Sequence, residues 1–353
     1  MTELACDVLV VGGGPAGATA ARAAAGRGVR VLLVERRARI GLPVQCAEYI
    51  PAMLLGEAGV GRGFVVQAVK GMKTYLPGRS ARVSLTPGYI IRRDLFDQAL
   101  VSRARAAGVE VVTATRAAGM EPDGTVHLAM KDGRRHRVRP AIVIGADGPH
   151  STVARWVGAP NRHLLPAVQV TVPLAKPLDY TEVYFDPAIY AGYGWLFPKG
   201  ELANVGLGMR RDGHAQEPIG RVLDRFAADL RRKGRIAGPP VRQTAGWIPA
   251  EPVRQAVYGR VALVGDAAGH THAITGAGVF AAVACGRIAG QWAGRAARGN
   301  DPELLQYYDR EWQDLMALTL TRAFERRRCM ESAWDDFDAT IHKCWVAYRE
   351  YYG

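Results

Sequence analysis

The sequence is poor in lysine, in paired cysteine and in long apolar runs. Only 7 of its 46 basic side chains are lysine, and the rest are arginine. Its five cysteines (Cys6, Cys46, Cys285, Cys329, Cys344) are scattered and form no Cys-x-x-Cys pair. That gives no support to a zinc site or a redox dithiol, and no metal is expected. No apolar stretch approaches the ~18 residues a spanning helix needs. The first run, Val8 to Val11, stops at Gly12 and has no basic segment before it, so it does not read as a signal peptide. A reduced cytoplasmic protein is expected, with peripheral membrane docking left open.

What is present is a globular composition. The 353 residues are 48% hydrophobic and 22% charged, enough for two or three interlocked domains. The net charge of +13 raises three classes of partner: nucleic acid, a membrane surface, or an acidic or phosphorylated ligand. The clusters Arg134-Arg135-His136-Arg137 and Arg326-Arg327-Arg328 read as solvated faces, the first beside an Asp132-Gly133 hairpin turn. No zinc finger, helix-turn-helix or RNA-binding signature accompanies them, so nucleic acid is not expected.

The forty N-terminal residues carry chemistry. Asp7 to Val11 reads as a strand buried on both faces, followed by Gly12-Gly13-Gly14-Pro15-Ala16-Gly17, a small-residue helix over Ala18–Gly28 and a second strand over Val29–Val34. In this Gly-x-Gly-x-x-Gly, Gly12 permits the tight turn, Gly14 lets the backbone approach a pyrophosphate and Gly17 lets the helix pack on the strand. Glu35 then stands where an acid accepts a ribose 2′-hydroxyl, which favours FAD or NAD over NADP. Two later strands end in Gly145-Ala146-Asp147-Gly148 and in Gly265-Asp266-Ala267-Ala268-Gly269. Each sets a carboxylate at the ligand-binding edge of a sheet. Gly276-Ala277-Gly278 precedes a helix ending near Arg298, whose N-terminal dipole suits a flavin's electron-poor edge.

These motifs, with Arg93-x-x-Phe96-Asp97, resemble the set carried by flavoproteins of the p-hydroxybenzoate hydroxylase fold. Within that group, Gly41-Leu42-Pro43-Val44-Gln45-Cys46-Ala47-Glu48 and Tyr193-Gly194-Trp195-Leu196-Phe197-Pro198-Lys199, running on to Asn204–Gly208, resemble the geranylgeranyl reductase family. The resemblance covers residues 5 to about 300 and implies an α/β fold. That fold would have an interrupted Rossmann-like FAD domain (1–70, 93–160, 245–300) and a mostly antiparallel β substrate domain (71–92, 161–244). C-terminal helices (301–353) would follow. Strands are expected over Ala167–Val172, Thr181–Phe185, Trp195–Pro198 and Ala203–Met209, and a helix over His214–Lys233. The C-terminal aromatics, from Tyr307 to Tyr352, are expected to pack on the FAD domain.

The resemblance implies FAD held by Gly12, Gly14, Pro15, Ala16, Gly17, Glu35 and Arg36. It extends that set to Cys46, Ala47, Arg93, Asp147, Gly265, Asp266, Gly276, Ala277 and Gly278. It places Cys46 close to the flavin, as a candidate proton donor, and the Trp195 region on the substrate cavity. Tyr193, Trp195 and Phe197 alternate on one strand face, a wall suited to an apolar or aromatic substrate. His270 and His272 flank the flavin turn; either is a candidate proton donor or a packing group, and His272 is taken with Cys46, Trp195 and Tyr193 as catalytic. Where the family carries a proline near the flavin, this chain has Ala273, which leaves that turn less constrained. No second nucleotide domain is visible, so NAD(P)H is expected to dock transiently as electron donor. Two reactions stay open: reduction of prenyl C=C bonds, aided by docking on an anionic surface, and FAD-dependent hydroxylation of an aromatic small molecule or of an aromatic residue in an acidic protein substrate.

Overall fold

Val8–Val11, Val31–Val34, Ile142–Gly145 and Val261–Leu263 are buried at every position. Segments with no solvent face belong at the centre of a parallel sheet. In the computed structural model, which describes residues 2–211 and 217–353, they form the middle of a six-stranded sheet. Its order is Val257–Tyr258, Val261–Leu263, Ile142–Gly145, Val8–Val11, Val31–Val34, Glu110–Val112, and all neighbours are parallel except the first pair. Gly145 pairs with both Val11 and Leu263. The turns leaving these three strands therefore lie side by side.

The first helix runs Pro15–Ala25, starting earlier than expected because proline suits the first helical position. It packs against Val279–Gly299. Gly286, Gly290 and Gly294 face Ala16, Ala20 and Ala24 so closely that a Cβ at Gly290 would stand 2.1 Å from the Ala20 carbonyl oxygen. Arg93–Ala106 packs on the first helix as well. A four-stranded sheet of Thr2–Leu4, Arg135–Val138, Val126–Met130 and Thr115–Met120 adds Ala117, Val126, Leu128 and Val138 to the same core.

The second layer is a seven-stranded sheet ordered Arg242–Pro249, Leu164–Pro173, Leu202–Gly208, Tyr193–Lys199, Tyr180–Tyr184, Gly71–Tyr75, Arg82–Ser84. Only the Tyr180–Tyr184 and Gly71–Tyr75 pair is parallel. The expected domain boundary at 245 falls inside Arg242–Pro249, which the antiparallel ladder to Leu164–Pro173 assigns to this sheet. Gly88–Ile91 instead joins a small three-stranded sheet with Tyr49–Pro51 and Val65–Val69. On the sheet's outer face lies the helix Ile219–Arg232. Its expected start at His214 lies outside the described residues.

The C-terminal aromatics divide between the layers, which corrects the expectation that they pack on the FAD domain alone. Leu305, Tyr308 and Trp312, early in the helix Leu305–Ser332, join the core around the six-stranded sheet. Met330, Trp334, Trp345, Tyr348 and Tyr351 pack instead with Val183 of the seven-stranded sheet, with Leu76 and Phe185 just past the ends of its strands, and with Ile274 of the loop after Gly265. No described helix is long and apolar enough to cross a membrane.

Candidate active site

At the first turn, Gly12 has φ 109°, and a Cβ there would stand 2.3 Å from the Ala146 carbonyl oxygen. Gly14, by contrast, points its missing Cβ into open space with nothing within 4 Å. It caps the helix Pro15–Ala25, whose first turn carries no side-chain cap and no acidic residue. The free N–H groups and the positive dipole end are thus presented to an anion, which fits the pyrophosphate of FAD. Glu35 accepts the Gly13 N–H (2.8 Å) and the Arg37 N–H (2.9 Å), so its carboxylate is fixed beside this cradle. The Arg36 side chain is exposed.

Asp147 differs from expectation. Its oxygens accept the Ser151 hydroxyl (2.5 Å) and the Thr152 and Val153 N–H groups (2.6 and 3.2 Å), capping the short helix Thr152–Trp156. The carboxylate therefore serves its own turn, while the backbone at 146–147 and the Ala146 methyl pack on the glycine loop.

Asp266 accepts the Thr271 hydroxyl at 2.9 Å. Burial raises its pKa, against the lowering by Thr271 and by Arg93. Gly276, at φ 67°, turns the chain, and Gly278 packs so that a Cβ would lie 3.2 Å from Asp266 Oδ1. The Ala277 side chain is exposed. With Ala273 in place of proline, hydrogen bonds order this loop. Gly276 N–H donates to the His272 carbonyl (2.8 Å), His272 N–H to the Ala277 carbonyl (3.0 Å) and the Tyr193 hydroxyl to the Thr275 carbonyl (2.5 Å).

His272 Nδ1 accepts the Thr275 N–H at 3.2 Å. That leaves Nε2 as the protonated nitrogen of a neutral ring, donating to the Tyr351 hydroxyl at 2.9 Å. Burial lowers the His272 pKa to about 4. It holds the loop with both nitrogens engaged, in place of the expected proton donor. His270 is also neutral, its pKa lowered by burial to about 3, and its ring lies 4.3 Å from that of Trp312.

Arg93 forms a buried ion pair with Asp97 (Nε–Oδ1 2.9 Å) one helical turn on. Cys46 Sγ accepts the Glu48 N–H at 3.2 Å. Burial raises the Cys46 pKa, with Arg93 the first opposing influence. The thiol is thus protonated near neutral pH, and a thiolate formed there would sit near a guanidinium.

The seven-stranded sheet holds this segment from above. Trp195, 7% exposed, donates its indole N–H to Gln169 Oε1 (3.0 Å), and Gln169 Nε2 donates to the Cys46 carbonyl (3.2 Å). Gly206 lies between them in the ladder, and a Cβ there would stand 2.4 Å from the Trp195 ring. Asn204, paired with Phe197 in the register, donates to the Ala47 carbonyl (3.2 Å) and to Glu48 Oε2 (2.9 Å). Lys199 forms an ion pair with Glu48. Tyr193 contacts Trp195 (ring centroids 6.1 Å) and Trp345 (5.1 Å). The aromatic face therefore continues into the C-terminal segment.

Sequence reasoning attached no role to Glu48, Lys199, Gln169 or Asn204. Strand alternation would have found Lys199, on the face of Tyr193, Trp195 and Phe197. Arg327, expected on a solvated face, is 4% exposed. It donates to the carbonyls of Ala273 (3.1 Å) and Ala191, tying the loop after Gly265 to the turn before Tyr193. No sequence signal separated it from its exposed neighbour Arg328.

Comparison with known proteins shows the family and the fold. Residues 5–322 match the family described as FAD binding domain. The chain is 33% identical over 347 residues to the digeranylgeranylglycerophospholipid reductase of Methanocaldococcus jannaschii, covering 94% of this chain and 88% of that protein. It is 34% identical over 360 residues to the enzyme so named from Methanothrix thermoacetophila, covering 96% and 90%. A geranylgeranyl bacteriochlorophyll reductase-like structure from Thermoplasma acidophilum superposes with a TM-score of 0.88 at 30% identity, over 99% of this chain and 92% of that one. A probable FAD-dependent monooxygenase from Pseudomonas aeruginosa shares the fold at TM-score 0.71 and 19% identity, over 96% and 100%.

Proposed function

Because the chain belongs to the geranylgeranyl reductase family of FAD-binding oxidoreductases, we propose that it reduces a carbon–carbon double bond in a prenyl group, with Cys46 as proton donor. Reduced FAD, when bound, supplies the hydride. The chain's own part is to position, to shield and to deliver the proton. The glycine cradle, Glu35 and Asp266 would hold the cofactor. Tyr193, Trp195 and Phe197 shelter an apolar chain from water. The Cys46 thiol gives its proton to the second carbon, and Arg93 offsets the thiolate that remains.

One observation carries this reading. The protonated Cys46 thiol is held on a segment bonded directly to the sheet that carries the aromatic face. We further propose NAD(P)H as a transiently bound donor. An anionic lipid surface is proposed as the place where substrate is met. Met53 and Leu85, 67% and 76% exposed, stand on neighbouring loops joined by the Ala52 N–H to Pro87 carbonyl bond, on a protein of net charge +13.

The test is turnover of a prenyl lipid by FAD-loaded protein without oxygen, followed by product mass. The expected product gains two hydrogens, and Cys46→Ser lowers the rate about 10²-fold or more with FAD retained. Substrate-stimulated oxygen uptake with a hydroxylated product would assign the protein to hydroxylation instead.

A further inference from the structure

Glu48 is fully buried and adopts φ 70°, a left-handed conformation uncommon for a residue with a side chain. A strained backbone and a buried charge at one position call for an explanation beyond packing. The carboxylate joins three elements. Oε1 accepts the Arg93 N–H (2.9 Å) at the start of the helix Arg93–Ala106. Oε2 accepts Asn204 Nδ2 (2.9 Å) and the Lys199 ammonium, both from the seven-stranded sheet. Its backbone carbonyl accepts the Ile91 N–H (2.9 Å), and its own N–H donates to Cys46 Sγ.

The consequence falls on Cys46. The carbonyls of Cys46 and Ala47 are each held by a side chain of the sheet, Gln169 and Asn204, and the thiol is held by the amide of Glu48. The direction of that amide follows from the left-handed turn, and the carboxylate's three donors keep the turn in place. We propose that Glu48 is a positioning residue, whose carboxylate locks the Cys46–Glu48 turn between Arg93 and Lys199 and so aims the Cys46 thiol. This rests on the reading of Cys46 as proton donor, and Lys199 acts with Glu48 as the sheet's contribution to the lock.

A plain structural staple would behave differently. Glu48→Gln removes the charge and sets an amide N–H₂ against donors, leaving the Lys199 cation unpaired. Glu48→Gln with Lys199→Met removes both charges and so relieves that burden. The FAD-loaded protein is assayed for thermal stability, for kcat and KM separately, and for alkylation of Cys46 by iodoacetamide with peptide mass mapping. In Glu48→Gln the expected result is a kcat about 10²-fold lower with KM little changed, and Cys46 alkylation about tenfold faster as the turn opens. The double variant is expected to regain thermal stability while kcat stays low and alkylation stays fast. If it regains all three, or if Glu48→Gln leaves kcat and alkylation unchanged, the positioning role is overturned. Should Glu48→Gln fail to fold, Glu48→Asp keeps the charge at shorter reach, and unchanged alkylation there would overturn the proposal equally. The alkylation rate decides the matter even for a protein with no activity on prenyl lipids, so the two readings fail separately.

Discussion

His272 shows how a single side chain is set by its neighbours. The Thr275 N–H and the Tyr351 hydroxyl occupy both ring nitrogens, and burial depresses the pKa from 6.5 to about 4. The unfolded chain therefore binds a proton between those values that the folded chain does not, and the contribution of this residue to stability is lost as pH drops from about 6.5 toward 4, while the raised carboxyls of Asp97 and Asp266 act the other way. His270, lowered to about 3, acts in the same direction as His272. Over this range His272→Gln is expected to lose less melting temperature than the wild type. Equal losses in thermal scans at pH 7 and pH 5 would contradict the assignment. At this scale, legibility followed backbone need. Gly12 was readable because a tight turn at φ 109° against the Ala146 carbonyl tolerates nothing else. Asp147 was not, because its role depends on whether Ser151 and Thr152 curl back to it, which strand-Gly-Asp patterning does not specify.

Elements were more legible than side chains, since period and punctuation report burial directly. The buried runs Val8–Val11 and Ile142–Gly145 and the helix opening at Arg93 stand close to where pattern placed them. The strand Arg242–Pro249 was missed because it lies at a sheet edge with mixed exposure and so lacks a continuous apolar signal. The helix Val279–Gly299 was read only for its N-terminal dipole, yet three of its glycines carry a helix contact. Gly290→Val would drive carbon into the Ala20 carbonyl. The expected cost is about 1–3 kcal/mol or more, seen as a melting temperature lower by several degrees together with weaker FAD retention. A melting temperature equal to the wild type would mean the two helices part without penalty.

Across the whole molecule, Arg327 ties together two segments far from it in sequence, the loop at Ala273 and the turn at Ala191. Its guanidinium is buried, and burial lowers its pKa against the opposing influence of Glu331. Replacing it with Met leaves the Ala273 and Ala191 carbonyls without donors. The expected loss is about 2–4 kcal/mol, with a rise in KM for an apolar substrate larger than the change in flavin absorbance. An unaltered KM and melting curve would show that the long helix only covers the sheet. Pattern alone hid this link, because three consecutive arginines look alike until the helix phase is known.

The sheet order carries a temporal consequence. The cradle formed by Gly12–Gly17 is completed by the turn after Leu263 and by the helix packed against Pro15–Ala25, both of which leave the ribosome some 250 residues later. Contacts of such separation close slowly, because the intervening loop must first surrender its entropy. The cofactor pocket is thus among the last features of the chain to exist. A ligand that binds only the finished pocket draws the folding equilibrium toward it by mass action, so supply of FAD becomes part of how this chain reaches its native state.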